Sequence, residues 1–283
     1  MAGHALTSPF GGTLPFFRLT ALVVAFSAAL AASPSISAVY NAASYAPPSL
    51  PNSGLAQGSI FTLFGSGLGP NTAQEAFSYP LPTTQGLGGT TVQVTVSGVT
   101  ENCVMIYAST VQVNAILPSA TPVGTGKLTV SYQGGSGSIA VQVLAGSFGT
   151  LSLNSAGSGP AVVTDASYVP ITLVNAAHPG QTLILWGTGL GAASGDETEA
   201  PVQVDLNTGV QVLVGNQPAT VTYGGRGSSS GEDQINFVVP SVPDGLPPCA
   251  SGQGPNLVNT NLTVSVGGQT SFDGAAICVS LPE

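Results

Sequence analysis

Four carboxylates form the densest group of potential ligands in this sequence. Asp196, Glu197 and Glu199 lie within a few residues of one another, and Asp205 follows shortly after them. Carboxylate oxygens are the ligands that calcium prefers, so such a loop is a candidate calcium site. The D-x-D-x-D-G run of a helix-flanked calcium loop is absent, and a solvated acidic loop is the alternative interpretation. Calcium is the one cofactor that the sequence suggests.

Catalytic chemistry has few candidate residues. A Ser-His-Asp triad would have to use His178, because the other histidine, His4, lies in the apolar leader described below. His178 stands in the turn sequence His-Pro-Gly, which is typical of a solvated histidine. The glycine motifs that begin at Gly65 and Gly187 read G-x-G-x-G, whereas a dinucleotide site needs G-x-G-x-x-G before a helix. We therefore predict that the protein is not an enzyme.

The three cysteines divide into a pair and a single residue. Cys249 and Cys278 both lie in the second half of the chain, and Cys249 stands in an insertion, 245–259, that the first half lacks. A disulfide between them would tie this insertion to the last predicted strand, and export would permit such a bond. Cys103 precedes Val104 and Met105, and we predict a buried thiol there.

The elements that would position these residues come from one stretch that occurs twice. Residues 58–69 read GSIFTLFGSGLG, and residues 180–191 read GQTLILWGTGLG. Each copy predicts a strand that runs into a tight corner, where glycine supplies a positive φ. Phe64 and Trp186 hold the same place in the two copies, and we predict that both anchor the space between two sheets. The predicted corner residues are Gly65, Gly67, Gly69, Gly187, Gly189 and Gly191.

The repeat extends well beyond this stretch and predicts two modules. Residues 38–47 (AVYNAASYAP) match residues 161–170 (AVVTDASYVP), and Gln-Val-Asn at 112–114 matches Gln-Ile-Asn at 234–236. A polar pair repeated inside apolar strands more often satisfies backbone groups than binds a ligand. We predict a signal peptide at 1–31, a first module at 38–146, a linker at 147–159 and a second module at 160–283.

Composition favours an exported all-β protein. Charged residues are 5% of the chain, and 38 glycines and 22 prolines are typical of short strands joined by turns. The apolar run after Arg18 is too short to span a bilayer and fits a secretory signal. We expect a secreted, cell-surface or periplasmic protein without a stable membrane span after processing. Twelve acidic residues against three basic ones argue against nucleic acid as a partner.

The repeated blocks also carry a resemblance. NAASYAP, GSIFTLFGSGLG, VQVTVSG and the run YGGRGSSSGEDQINFVVP resemble a family of secreted bacterial proteins of unknown function. That family has paired immunoglobulin-like repeats related to the IPT/TIG type. The resemblance implies two tandem immunoglobulin-like β-sandwich modules and export, and it brings no catalytic residues with it.

Binding is the function class that remains. The first hypothesis is interaction or adhesion at the cell surface or outside the cell, through exposed loops or a strand edge, with an extracellular protein as partner. The second is carbohydrate binding, with a polysaccharide as partner and exposed aromatic rings such as Tyr40, Tyr45, Phe77 and Tyr79 as contacts. A glycan or ester hydrolase is the third and least favoured alternative.

Overall fold

The computed structural model describes residues 33–50, 52–206, 208–251, 256–272 and 274–282. Within them all regular structure is β, so the predicted all-β class is confirmed. Residues 31–283 belong to one compact unit. The predicted signal peptide, 1–31, lies outside the described residues, and the described part of the chain contains no helix of the length and apolarity that a membrane crossing needs.

The described residues form twenty strands, several of them only two residues long. They are β1 (Ser35–Asn41), β2 (Leu55–Ala56), β3 (Ile60–Ser66), β4 (Gln74–Glu75), β5 (Thr91–Val96), β6 (Val99–Asn102), β7 (Val104–Ala108), β8 (Gln112–Ile116), β9 (Gly124–Tyr132), β10 (Gly135–Leu144), β11 (Gly149–Thr150), β12 (Gly159–Pro160), β13 (Val163–Asp165), β14 (Thr182–Thr188), β15 (Gln211–Val214), β16 (Gln217–Arg226), β17 (Asp233–Val238), β18 (Leu257–Val266), β19 (Gln269–Thr270) and β20 (Ala275–Ser280).

The first half of the chain, through β10, is a sandwich of two five-stranded sheets. One sheet has the order β1-β3-β8-β7-β4, and the other has the order β2-β10-β9-β5-β6. Side chains alternate between the two faces of a strand, so Phe61 and Leu63 of β3 point inward together. They meet Val92 and Val94 of β5 and Leu128 of β9 in one buried cluster. This cluster is the core of the first half.

The second half repeats this order with one sheet that folds over on itself. The order is β11-β14-β17-β16-β15-β18-β20-β12, with β13 beside β14 and β19 beside β18. The long strand β16 pairs with β15 through its first residues and with β17 through its last, so it passes from one layer to the other. In the first half two strands take the place of β16: β6 lies in one sheet and β7 in the other, and Cys103 stands between them in the sequence. Leu185, Phe237 and Leu262 lie in the core of the second half.

The prediction that Phe64 and Trp186 anchor the space between the sheets is wrong. Phe61 and Leu63 hold the inward positions of β3, so Phe64 falls on the outer face, where it is half-buried against tyrosines. Trp186 is buried on the outer face of β14, while Leu185 beside it points into the core. The two-residue period of a strand decides this, because a one-residue step changes the face.

Three of the six predicted corner glycines owe their identity to close packing and not to a positive φ. Positive φ is found at Gly67 (64°), Gly189 (114°) and Gly191 (126°). At the other three, a Cβ atom would collide with a neighbouring backbone or side chain: Gly65, Gly69 and Gly187. At Gly65, for example, the carbonyl oxygen of Ser35 on the paired strand β1 occupies the place of a Cβ. The expectation of positive φ is therefore wrong at these three.

Hydrogen bonds join the two halves directly. The side chain of Asn41 donates from Nδ2 to the carbonyl oxygen of Thr188 at 3.1 Å, and the N–H of Ile60 donates to Thr188 Oγ1 at 2.8 Å. The stretch expected to be a linker, 147–159, supplies β11 to the second sheet and buries Phe148 in the second core. The domain boundaries themselves stay a prediction.

Candidate functional site

The four predicted calcium ligands do not converge. Asp196, Glu197 and Glu199 line a cavity of about 360 Å³ under the loop that carries them, and Asp205 lies outside it, bridged to Gly225. Within the described residues, no three His, Cys, Asp or Glu side chains are placed to hold one metal ion.

Two of these carboxylates instead accept hydrogen bonds that fix the loop. Glu197 Oε1 accepts the backbone N–H of Ser119 at 2.7 Å and so connects the halves. Asp196 accepts from the hydroxyl and the amide of Thr198, and these bonds lower the pKa of Asp196 below its ordinary value.

A buried ion pair holds the corner of β14. Arg226 and Asp233 pair with almost no exposure of either side chain. Asp233 Oδ2 accepts the N–H groups of Gly189 and Leu190, each at 2.7 Å, and Arg226 Nη2 donates to the carbonyl oxygen of Gly191 at 2.7 Å. Burial raises the pKa of Asp233, and the charge of Arg226 and the two amides oppose that shift. This pair acts on the fold, and we assign it no ligand.

Glu232, next to this pair, gives a prediction about pH. Burial raises the pKa of Glu232, and hydrogen bonds from Ser229 oppose the shift. A carboxyl with a raised pKa in the folded state favours folding when protonated, so the free energy of unfolding falls as pH rises through that pKa. We expect Glu232→Gln to make the melting temperature less dependent on pH between about pH 4 and about pH 7. Glu101→Gln, on β6 in the other half, is the control, and an unchanged pH dependence in Glu232→Gln would contradict the expectation.

The arrangement best suited to a ligand lies on the outer face of the first sheet. Phe64 on β3 is paired with Gln112 on β8, and Gln112 Nε2 donates to Asn114 Oδ1 at 3.0 Å. Tyr107 on β7 is paired with Asn114, and residues paired directly across strands share a face. Tyr40 packs against Phe64 with ring centroids 6.2 Å apart. We call Tyr40, Phe64, Gln112, Asn114 and Tyr107 the first face.

The second half carries the same arrangement at the same register. Trp186 on β14 is paired with Gln234 on β17, and Gln234 Nε2 donates to Asn236 Oδ1 at 2.7 Å. Tyr223 on β16 is paired with Asn236. The Trp186 ring N–H donates to Thr164 Oγ1 at 3.3 Å, which fixes the indole. We call Trp186, Gln234, Asn236 and Tyr223 the second face.

A bulge precedes the tyrosine in both faces. The pairing of β7 with β8 shifts between Met105 and Tyr107, and the pairing of β16 with β17 shifts between Val221 and Tyr223. A bulge re-aims the side chains that follow it, and bulges are common beside binding sites. Repetition of the bulge means that both tyrosines reach their faces in the same way.

A strained tyrosine also covers the aromatic ring of each face. Tyr45 and Tyr168 come from the repeated Ala-Ser-Tyr motif and have φ angles of 47° and 63°. A bulky residue with positive φ is rare and costs about 1–3 kcal/mol, so it points to a function that maintains it. Tyr45 lies at 6.2 Å and 30° to Phe64, and Tyr168 lies at 6.2 Å and 33° to Trp186. Tyr168 is 61% exposed.

The amide pairs differ from our expectation. We expected Gln112, Asn114, Gln234 and Asn236 to satisfy backbone groups, whereas each glutamine donates to the asparagine two residues later. Gln234 Oε1 also accepts from Gln203 Nε2 at 3.0 Å, and Gln234 is buried. The amide groups best placed for a ligand are therefore those of Gln112, Asn114 and Asn236, which are half-buried. The repeat of these residues was visible in the sequence, but their position beside an aromatic ring was not.

The remaining predicted residues take structural or exposed positions. Cys249 and Cys278 form a disulfide with Cα atoms 5.7 Å apart, and Cys103 is a buried free cysteine whose thiol pKa is raised by burial. His178 is exposed in a turn, with its backbone N–H bonded to the Gln181 side chain.

One further stretch matches a catalytic sequence motif but lacks the structural context that the motif requires. Residues 227–231, Gly-Ser-Ser-Ser-Gly, match the G-x-S-x-G nucleophile elbow. They join two antiparallel strands, whereas an elbow leads from a strand into a helix.

Comparisons with known proteins give distant likenesses only. No family model and no curated protein matches the chain. SGBP-B of the mixed-linkage glucan utilization locus of Bacteroides ovatus, solved with a mixed-linkage heptasaccharide, is 13% identical with a TM-score of 0.30, over 81% of this chain and 42% of that one. The plexin A4 extracellular region is 15% identical with a TM-score of 0.28, over 94% of this chain and 20% of that one.

A tandem of titin immunoglobulin domains is 10% identical with a TM-score of 0.18, over 81% of this chain and 90% of that one. The chain spans a fifth of plexin A4 and less than half of SGBP-B. These likenesses assign no function to this chain.

Proposed function

We propose that this chain is an exported, non-catalytic binding protein that recognises neutral polysaccharide through its first and second faces. Repetition carries the proposal: a ring, a glutamine–asparagine pair and a tyrosine after a bulge recur at one register in both halves. Packing of a sandwich requires only the inward side chains to be apolar, so it does not account for this repeated outer arrangement.

The chemistry of the faces suits a sugar chain. A sugar ring has apolar C–H faces and a rim of hydroxyl groups, and an aromatic ring beside amide groups complements both. The side chains that define the two faces carry no charge, and the chain as a whole has a formal net charge of −9. An anionic polymer would be repelled by that charge, so a neutral polysaccharide is the better match.

Tyr168→Ala tests the second face. Tyr168 is 61% exposed, so its removal should leave the melting temperature nearly unchanged. We expect affinity for a neutral polysaccharide to fall about tenfold, because an aromatic contact contributes roughly 1 kcal/mol beyond its buried area. Mobility in gels containing neutral glucans, mannans or xylans measures the effect, and Tyr45→Ala is the matched change at the first face.

Tyr132→Ala is the control for this experiment. Tyr132 lies on β9, in the other sheet of the first half, and should not affect binding. If no neutral glycan retards the wild-type protein, or if Tyr132→Ala weakens binding as much as Tyr168→Ala, the assignment to the two faces is wrong.

Adhesion to a protein is the second candidate, favoured by an apolar groove of about 520 Å³ in the second half. Leu153, Ile171, Leu173 and Ile277 line it, and Val174 at its rim is 98% exposed. Exposed apolar surface beside a pocket is common at protein–protein contacts. Val174→Asp should abolish such adhesion and leave glycan binding intact.

A further inference from the structure

One side of the first sandwich has an open strand edge. On that side β1 is the terminal strand of its sheet. In the other sheet the terminal strand β2 has only two residues, and it pairs with β10 only at Val143 and Leu144. Among the described residues, no strand pairs with Ile139 to Gln142 on that side of β10. An unpaired edge offers backbone N–H and C=O groups that can pair with another chain.

A groove of about 360 Å³ separates this edge from β1. Residues 37–40 of β1 form one wall, and residues 139–142 of β10 form the other. Pro34 closes one end against β10, because a Cβ on Gly137 would collide with its carbonyl oxygen. Gly54 and Leu55 lie at the other end. The groove thus has room for a short extended segment between two fixed ends.

The second half fills the corresponding place with a strand of its own. There β12 lies parallel to β20, with Gly159 paired to Ala275 and Pro160 paired to Ala276. The N–H of Ala161 then donates to the carbonyl oxygen of Ala276 at 2.8 Å. In the second half, therefore, an extended segment of small residues completes the edge of the last strand.

Parallel contacts near the ends of β10 and β20 show which residues of these two strands correspond. Leu55 pairs with Val143 in the first half, and Ala177 pairs with Val279 in the second half. Counting back three residues from each valine makes Ala140 the counterpart of Ala276. The carbonyl oxygen of Leu144 accepts the N–H of Gln57 on this same side. Because backbone direction alternates along a strand, the N–H and C=O of Ala140 point into the groove.

We propose that this groove binds an extended, uncharged segment of a partner polypeptide that runs parallel to β10. The partner takes the place that β12 takes in the second half. One of its backbone N–H groups donates to the carbonyl oxygen of Ala140, and one of its carbonyl oxygens accepts the N–H of Ala140. Main-chain hydrogen bonds supply the affinity in this mode of recognition, and the wall of β1 restricts the partner to small side chains. Tyr40 belongs to the first face and also borders this groove, but the main-chain contact at Ala140 involves no first-face side chain, so the inference does not depend on the polysaccharide proposal.

A peptide with the sequence of residues 156–163 of this chain is the probe, because that sequence contains the segment that fills the second half. We expect saturating peptide to slow amide hydrogen exchange at Ala140 by about tenfold, since the amide gains a hydrogen-bond partner. Thr100, on β6 at the opposite edge of the sheet, should exchange at an unchanged rate. N-methylation of the peptide at the Ala161 position removes the donor and should weaken binding about tenfold.

Ala140→Pro tests the same contact from the protein side. Proline removes an N–H that points away from β9, so the ladder of the sheet is kept. We expect weaker peptide binding with a nearly unchanged melting temperature, whereas Ala140→Ser, which keeps the N–H, should bind normally. The inference would be overturned if the peptide did not bind, or if it bound without slowing exchange at Ala140. It would also be overturned if the N-methylated peptide bound equally well, or if self-association or a glycan protected Ala140. The exchange measurement on wild-type protein decides the matter even if Ala140→Pro fails to fold.

Discussion

Asp233→Ala should lower the free energy of unfolding by about 3–5 kcal/mol, the largest loss that we expect from any single polar substitution in this chain. The substitution leaves the guanidinium of Arg226 buried without its partner carboxylate. It also removes the acceptor of the Gly189 and Leu190 N–H groups, which shape the corner after β14. An uncompensated buried charge and two lost hydrogen bonds act in the same direction.

Chemical denaturation followed by tryptophan fluorescence measures this effect. Trp186 is the only tryptophan of the chain and lies on β14, so its emission reports on the second half. Val111 stands at the position of Asp233 in the first half and is 58% exposed, which makes Val111→Ala the matched control with an expected change within about 0.5 kcal/mol.

A double variant separates the pair from its surroundings. Arg226→Met with Asp233→Asn removes both charges and keeps an amide oxygen for the corner N–H groups, so it should be more stable than Asp233→Ala. A cost below about 1 kcal/mol for Asp233→Ala would mean that the ion pair does not hold the corner, contrary to the expectation from its burial.

Loss of the disulfide should lower the free energy of unfolding by about 3 kcal/mol. Cys249 and Cys278 are 29 residues apart, and a bond across such a loop restricts the unfolded chain. The bond also ties the inserted segment to β20, and two backbone hydrogen bonds join the same segment to β18: the N–H of Asn259 donates to Pro247, and that of Cys249 donates to Leu257. The double substitution of both cysteines by serine, studied by the same denaturation experiment, measures the loss.

Reduction of the wild-type protein provides an independent measurement. Cys103 is fully buried and its thiol pKa is raised, so it should not react with thiol reagents in the folded state. A change on adding reductant can therefore be assigned to the Cys249–Cys278 bond. Equal stability of the oxidised and reduced protein would contradict the prediction.

Several features of the fold could be predicted from the sequence because they depend on local pattern. The repeated apolar runs before glycine corners predict strands, and β3 and β14 lie where the two copies of that stretch stand. Pairing of Cys249 with Cys278 was predicted because both lie in the second half and Cys249 stands in the insertion that the first half lacks. The strands follow from the two-residue period of apolar side chains, and the cysteine pairing follows because only two of the three cysteines lie in the second half.

The predictions that were wrong concern the face of a strand on which a side chain lies and the residues distant in sequence that pack against it. Phe64 and Trp186 looked like core anchors because they are large and apolar, but a one-residue step placed them on the outer face. Gly65 and Gly187 looked like turn residues, but the chain of a neighbouring strand excludes a side chain there. Arg226 and Asp233 gave no signal in the sequence, because their pairing arises only when β16 and β17 come together.

The sequence by itself determined that this chain is all-β, that its two halves repeat, and which residue types recur in them. These properties follow from composition and from the period of apolar residues along the chain. Only the tertiary structure decided that rings and amides meet on two outer faces and that Asp205 lies outside the cavity lined by the other three predicted calcium ligands. It also decided that, among the described residues, one strand edge is open in the first half and filled in the second. Strand pairing and register are contacts between distant residues, so no local pattern contains them.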